Sequence, residues 1–478
     1  MEAGFFYLRD VANHTRFDKQ RTKPYSDSVQ AQHLENAARR LSATSGGSPS
    51  TSPKPSLSRS ASGGMSLFRN DSTANDSVVS RGSPKPANST RGSVSGVSNS
   101  SSSLDDVHAE LLARPYELRY GKRYLRDTPY ALPCDLPEMH RQSLRTLLGV
   151  TVLGRPACAP SVFAQPPRKV LEVGCGCAYW TSTCHEHFAS LGFPYVQFTG
   201  IDIAPLAPDL RSQGVDWRFI QHDLRRTPWP FQNDEFDYIM IKDMSLAVPL
   251  GRSWQDFLDE SLRVLAEGGT IEIWESDHVL RSLSPKHPGH ATESGEDIIA
   301  AETRTFPISP RTSFVAAVDM HIQQSNSWTE TALAERNLPS TPCARMADLL
   351  HREPNLTDFG SRHIAIPFKE LCWEKPRSSG RNHSRSGTGE KYLSKRPKSG
   401  LFETSLTTDQ AAIRATALLT IIQKIESLEP LLKEASGKNT EEWAIWWVGM
   451  MSSLVQGDGA SSGECLEIGS WWATKRTR

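Results

Sequence analysis

The sequence predicts a doubly wound α/β domain with a disordered N-terminal arm and a helical C-terminal extension. Three observations carry that prediction. Short, near-continuous apolar runs alternate with amphipathic segments between residues 167 and 374. The first of those runs ends in a tight glycine turn, "LEVGCGCAYW" (171–180), where a helix should begin. From Ser42 to Ser103 the composition collapses to Ser, Gly, Pro, Asn and Thr. Strands covered by helices on both faces read as unbroken apolar runs, so the alternation implies a parallel sheet.

Taken in order, residues 1–103 form the arm, which cannot bury enough apolar surface to offset its chain entropy. "SPKP" occurs at Ser52–Pro55 and again at Ser83–Pro86, and Ser62 follows Arg59 at a spacing basic-directed kinases accept. The arm is therefore either a solvated tail or a docking segment for a phospho-dependent partner. Residues 104–166 read as an N-terminal cap, with Met139, Leu144, Leu147 and Leu148 at near-helical spacing.

The core domain spans 167–374. Its strands are expected at 169–173, 195–203, 215–223, 236–244 and 270–276, with helices over 178–192 and 254–269, the second stopped by Gly268 and Gly269. Residues 277–310 form a polar insertion with little periodicity, read as a lid or disorder. A helix at 327–338 and a strand at 356–368 complete the sheet. A basic Ser/Gly-rich linker, 375–400, has Tyr392 as its one aromatic and reads as solvated.

In the extension, 401–478, Thr407 and Gln410 make a capping-box pattern before a helix at 411–437, and Gly437 stops it. Thr440 should cap a second helix whose Trp443, Trp446, Trp447, Met450, Met451 and Leu454 share one face. That stripe reads as packing.

Composition narrows the function. Lys plus Arg equals Asp plus Glu at 54 each in 478 residues, so no global field draws the chain to nucleic acid or anionic lipid. No apolar stretch approaches the roughly 18 residues of a membrane span, and the N-terminus lacks a signal peptide. The expectation is a soluble protein of cytoplasm or nucleus. Eight cysteines without a C-x-x-C pair argue against a zinc ribbon and a secreted disulfide framework. Cys175, Cys177, Cys184, His185 and His187 cluster in sequence, but the turn sends the first two in different directions, and no metal is expected.

The glycine turn is informative through what is missing. The phosphate-loop pattern G-x-x-x-x-G-K-[ST] is absent. The dinucleotide pattern G-x-G-x-x-G would place glycine at 179, where Tyr179 would crowd a pyrophosphate at the helix N-terminus. S-adenosyl-L-methionine carries no phosphate and tolerates that residue. The surrounding acids suit it: Glu172 closes the first strand, Asp202 the second, where it can accept both ribose hydroxyls, and Asp223 the third, facing an adenine amino group. Each could instead cap the helix that follows it.

"LEVGCGCAYW", "GIDI", "QHDL", "FDYIMIKDM" and "RVLAEGGTIEIWES", in that order and spacing, resemble the motifs of class I S-adenosyl-L-methionine-dependent methyltransferases over roughly residues 167–280. The flanks "YELRYGKRYLRD" and "GECLEIGSWW" resemble those of fungal methyltransferase-domain proteins. The resemblance implies a Rossmann-like sheet. It implies that Glu172, Gly174 and Gly176 hold the methionine end of the cofactor, Asp202 with Ile203 beside it the ribose, and Asp223 with Leu224 the adenine. Ala178 stands where the family often has a further glycine.

Lys242 and Asp243 occupy the family's position beside the methyl group. An oxygen or nitrogen acceptor must also lose a proton, and Asp243, Glu275 and His278 at the strand tips are the candidates. The acceptor itself, small molecule or protein, is not named by the sequence. A non-catalytic regulator or scaffold that binds the same cofactor is the competing reading; an open acceptor pocket beside the methyl group would distinguish the two.

Overall fold

The computed structural model describes residues 108–249, 251–285, 295–374 and 405–477. The Ser-rich arm and the basic linker lie outside the described residues. The chain enters through a hairpin of β1 (Tyr116–Arg119) and β2 (Lys122–Leu125), followed by α1 (Leu136–Leu153). Asp135 caps α1 by accepting from the Glu138 N–H, and Gly154 ends it in a left-handed conformation. A short helix, α2 (Ser161–Ala164), leads into the sheet.

The sheet is built from β3 (Lys169–Val173), β4 (Gln197–Asp202), β5 (Asp216–Gln221), β6 (Phe236–Lys242) and β7 (Leu265–Glu275), with α3 (Tyr179–Ser190) and α4 (Arg252–Val264) in the connections. These strands run parallel in the order β5-β4-β3-β6-β7. The chain leaves β3 toward β4 and β5, then returns to the other side of β3 for β6. That reversal opens a crevice at the carboxyl ends of β3 and β6, where open α/β sheets bind ligands.

Each strand is apolar on both faces, and the alternation decides which core a residue joins. Val170, Tyr238, Met240 and Trp274 face one core, under α1 and α3; Leu171, Ile239, Ile241, Ile271 and Ile273 face the other, under α4. The doubly wound expectation therefore holds.

The boundaries differ in places for local reasons. The helix expected to run to the Gly268–Gly269 pair ends at Val264, and β7 begins at Leu265, five residues ahead of the expected strand. The described part of 277–310 is not irregular: it holds β8 (Arg281–Leu283), α5 (Gly295–Thr303) and β9 (Phe306–Pro307), and β10 (Phe314–Ala316) pairs with β8. Then follow α6 (Met320–Ala334), which starts seven residues before the expected position and is capped by Asp319, α7 (Cys343–His351) and β11 (Leu356–Pro367).

The extension carries α8 (Thr408–Ser427), α9 (Glu429–Ser436) and α10 (Thr440–Met451). The Thr407–Gln410 capping box forms as expected. The cap of α10 is Asn439 rather than Thr440, because Asn439 accepts from the Glu441 and Glu442 N–H groups and Glu442 bonds back to its N–H. The single helix expected over 411–437 is broken at Leu428, where Pro430 removes a backbone donor. After the helices the chain adds β12 (Glu464–Lys475), which the sequence reading had not separated from the helical extension. β12 runs antiparallel between β7 and β11. No helix among the described residues is long and apolar enough to cross a membrane.

Candidate active site

A cavity of about 440 Å³ opens at the crevice. Its walls are the carboxyl ends of β3 to β6, the loop before α1, α1 itself and α8, which reaches across with Thr420, Ile421 and Lys424.

The turn after β3 is held open by three left-handed residues, Gly174 (φ 66°), Gly176 (φ 51°) and Ala178 (φ 54°). A Cβ on Gly174 would press on the Met244 sulfur, whereas one on Gly176 would meet only Gln142 Oε1 at 3.7 Å. Gly176 is thus the point where backbone lies bare to the cavity. Ala178 keeps the left-handed conformation that explains glycine's frequency there in the resembling family.

Asp202 Oδ2 accepts from the Gly176 N–H at 2.8 Å and Oδ1 from the Ala204 N–H at 2.9 Å. A carboxylate has about four lone-pair sites, so two remain for a ligand. Burial raises its pKa, and the backbone donors oppose that. Glu172 is buried; its Oε2 accepts from the Thr181 N–H at 3.3 Å and hydroxyl at 2.7 Å, leaving Oε1 without a donor among the described residues. It caps α3 and lines the cavity at once, so the two readings of this residue are compatible. Burial pushes its carboxyl up to about 7, against the Thr181 hydrogen bond and the Lys242 charge. Asp223, two residues beyond β5, is gripped by Arg225 through Nε (2.9 Å) and Nη2 (2.7 Å). Burial works against its charge, but Arg225 outweighs burial and its pKa falls. Ile203 and Leu224 line the cavity beside these acids.

The four strand-tip candidates separate. Lys242, Asp243 and His278 line the cavity; Glu275 is fully buried behind them. Asp243 bridges Arg145 Nη2 and Lys242 Nζ, each at 2.9 Å, with a third of its side chain exposed. Burial opposes its charge, yet the two cations hold its carboxyl far below the usual range. A carboxylate so acidic is a weak base near neutral pH.

His278 is engaged at both nitrogens, Nδ1 with Lys424 Nζ at 2.7 Å and Nε2 with Ser245 Oγ at 2.9 Å. Burial and the Lys424 charge push its pKa well below the ordinary value, so the ring is neutral. With Lys424 donating to Nδ1, Nε2 donates to Ser245, whose hydroxyl donates to Glu275 Oε2 at 2.8 Å. Burial and the Asp243 charge push Glu275 up.

The sequence reading passed over Arg141, Arg145, Ser245 and Lys424, all but Ser245 lining this cavity. Two signals were present. Arg141 and Arg145 lie one turn apart in α1, and Lys424 closely follows the apolar stretch Leu418–Ile422 of α8. The sulfur and imidazole groups near the turn disperse: Cys177 meets Ser143 Oγ at 3.5 Å, and His185 and His187 pack edge-to-face with Phe198 and Phe163 respectively.

Residues 170–269 match a family model described as a methyltransferase domain. The segment from β3 to the start of β7 is thus similar to methyltransferase domains. The chain is 31% identical over 123 residues to demethylmenaquinone methyltransferase of Tropheryma whipplei, covering 24% of this chain and 45% of that one. A second relative, the secondary metabolism regulator laeA of Aspergillus flavus, is 24% identical over 217 residues, covering 44% of this chain and 55% of that one. The chain thus spans about half the length of the curated relatives it matches. Among solved structures, the YcgJ protein of Bacillus subtilis aligns at 12% identity with a TM-score of 0.32, covering 71% of this chain and 100% of that one.

Proposed function

We propose that the chain binds S-adenosyl-L-methionine across the carboxyl ends of β3, β4 and β5 and transfers its methyl group to an acceptor held near His278 and Lys424. The observation that carries this reading is the turn itself. Gly176 presents bare backbone to the cavity, tethered to an Asp202 carboxylate that keeps lone pairs in reserve.

The residues fit that cofactor. Glu172, buried and short of a positive partner, suits an ammonium at the methionine end. Asp202 with Ile203 suits the ribose, and Leu224 with Asp223 the adenine, although Arg225 already occupies much of the Asp223 carboxylate. When bound, the cofactor supplies an electrophilic methyl carbon on a sulfonium. The chain's part is to align an acceptor with that carbon and exclude water. In this reading Asp243 is a positioning residue that holds Lys242 and Arg145. The cavity continues past the turn to Lys242, His278 and Lys424, which supports transfer over a non-catalytic sensor or scaffold.

Calorimetry with S-adenosylhomocysteine tests the reading. The full chain should bind it, and Asp202→Ala should weaken binding by about 1–3 kcal/mol, the loss of a charged hydrogen-bond acceptor. Heat for NAD with none for S-adenosylhomocysteine would refute it.

A further inference from the structure

We propose that the acceptor is an amphipathic acid, an apolar body ending in a carboxylate or comparable anion, and that Lys424 receives the anion. This rests on the cofactor reading above and extends it to the chemistry of the acceptor.

The charge balance of the cavity points there. Arg141 and Arg145 on α1, Lys242 at the tip of β6 and Lys424 on α8 all line the cavity, with Arg145 and Lys242 meeting at Asp243. Two carboxylates answer these four cations. Glu138 takes Arg141 in a bidentate pair at 2.8 and 2.6 Å, and Asp243 is shared by Arg145 and Lys242. Lys424 meets only the neutral ring of His278. The rest of the wall is largely apolar, with Met139, Leu246 and Ile421 among the lining residues. A buried cation without a counter-charge is unfavourable. In the free protein Lys424 is accordingly pulled down to about 7 by burial and by Arg141 and Arg145, with Asp243 and Glu138 opposing. An anion entering at the Lys424 end supplies the missing partner.

A second observation agrees. Among the described residues, the carboxylates and the imidazole at this end are all engaged, and Lys424 recharges when an anion arrives, so none of them is left to take a proton from a neutral acceptor. Asp243 sits in two ion pairs, His278 is engaged at both nitrogens, Glu275 is covered, and Asp277 accepts from the Cys343 N–H at 2.9 Å. An acceptor that arrives ionised needs no base. Its oxygen forms the new C–O bond as the methyl–sulfur bond breaks and that electron pair returns to sulfur, so no proton moves. The product ester has lost the charge that held it, which favours its release.

The test uses the full chain saturated with S-adenosylhomocysteine, with benzoate and octanoate as probes against benzamide and octanamide. The acids should bind at least tenfold tighter than the amides. At pH 8, calorimetry in two buffers of different ionisation heat should show uptake of close to one proton as Lys424 recharges. Lys424→Met, which removes a half-buried charge while keeping the aliphatic stem, should abolish the preference for the acids while leaving S-adenosylhomocysteine affinity within twofold. Acids and amides binding alike, neither binding, or acid binding without proton uptake would overturn the proposal.

A different source of the anion is the cofactor's own carboxylate. If Lys424→Met weakens S-adenosylhomocysteine tenfold but spares methylthioadenosine, which lacks that carboxylate, Lys424 belongs to the cofactor end and the proposal fails. A wild-type chain that binds no S-adenosylhomocysteine overturns the cofactor reading instead.

Discussion

At the scale of single residues, the site is governed by which carboxylates are matched with cations and which are merely buried. Glu172 has a folded pKa near 7 against an ordinary value of 4.5. Its protonated form is favoured by the fold, so the stability it contributes is present below about pH 4.5 and is lost as pH rises through 7. The difference corresponds to roughly 3 kcal/mol above pH 7. Glu172→Gln keeps an acceptor for the Thr181 hydroxyl without the charge. Melting curves of the free protein should therefore show the variant gaining on the wild type between pH 5 and 8; parallel curves would mean that the carboxylate is solvated. Lys424 acts in a separate window, destabilising below 7 and relieved toward 10.5. Asp243 makes the opposite case, a partly exposed acid with two cations. Once an acceptor is in hand, Asp243→Asn should lower turnover by about tenfold or more through lost alignment. The pH–rate profile should keep its shape, since this group does not titrate near neutrality. Disappearance of an acid-side limb would return the base role to Asp243.

At the scale of elements, the extension is part of the cavity wall as well as a packing unit. α8 ends its apolar run with Lys424 in its last turn, where the helix dipole also favours a cation. Its end is fixed to α1 by the Ser427 hydroxyl, which donates to Glu138 Oε2 at 2.8 Å. The break at Leu428 frees the Glu426 carbonyl, which accepts from Lys122 of β2 at 3.4 Å. α10 packs through the expected stripe: Trp443, Trp446, Met450 and Leu454 are buried. Trp446 lies 4.8 Å from both Trp328 and Trp443, and its indole N–H donates to Gln324 Oε1 at 2.7 Å. Trp446→Ala should destabilise the fold by about 3–5 kcal/mol, read by denaturant titration. A fully stable variant would mark this face as something other than core.

At the scale of the whole molecule, β12 decides the architecture. It bonds to β7 from Thr270 to Glu275 and to β11 from Leu356 to Pro367, so the last segment of the described chain joins the parallel half of the sheet to its antiparallel half. Its side chains enter both cores, Leu466 and Ile468 on one face and Trp471 and Ala473 on the other. Removing residues 464–478 would strip both ladders and leave β7 as a bare apolar edge. The truncated chain should lose its cooperative thermal transition or aggregate. A soluble truncation melting as the full chain does would show that the sheet closes without β12.

What the sequence determined by itself was the pattern that local physics enforces. Unbroken apolar runs marked the parallel strands, and two glycines marked the turn. The acids at 172, 202 and 223 could be placed because strand ends are read directly from where an apolar run stops. Caps were legible to within a residue, as Asn439 in place of Thr440 shows. Only the tertiary structure decided how charges meet. Arg145 and Asp243 are 98 residues apart, and Lys424 and His278 are 146 apart. No local pattern records a pair formed by helices crossing the mouth of a sheet. The same reason hid the place of β12. "ECLEIGSWWATK" has the composition of a strand, but its position between β7 and β11 is chosen by which strands present unpaired backbone and matching apolar faces once the rest of the chain has folded.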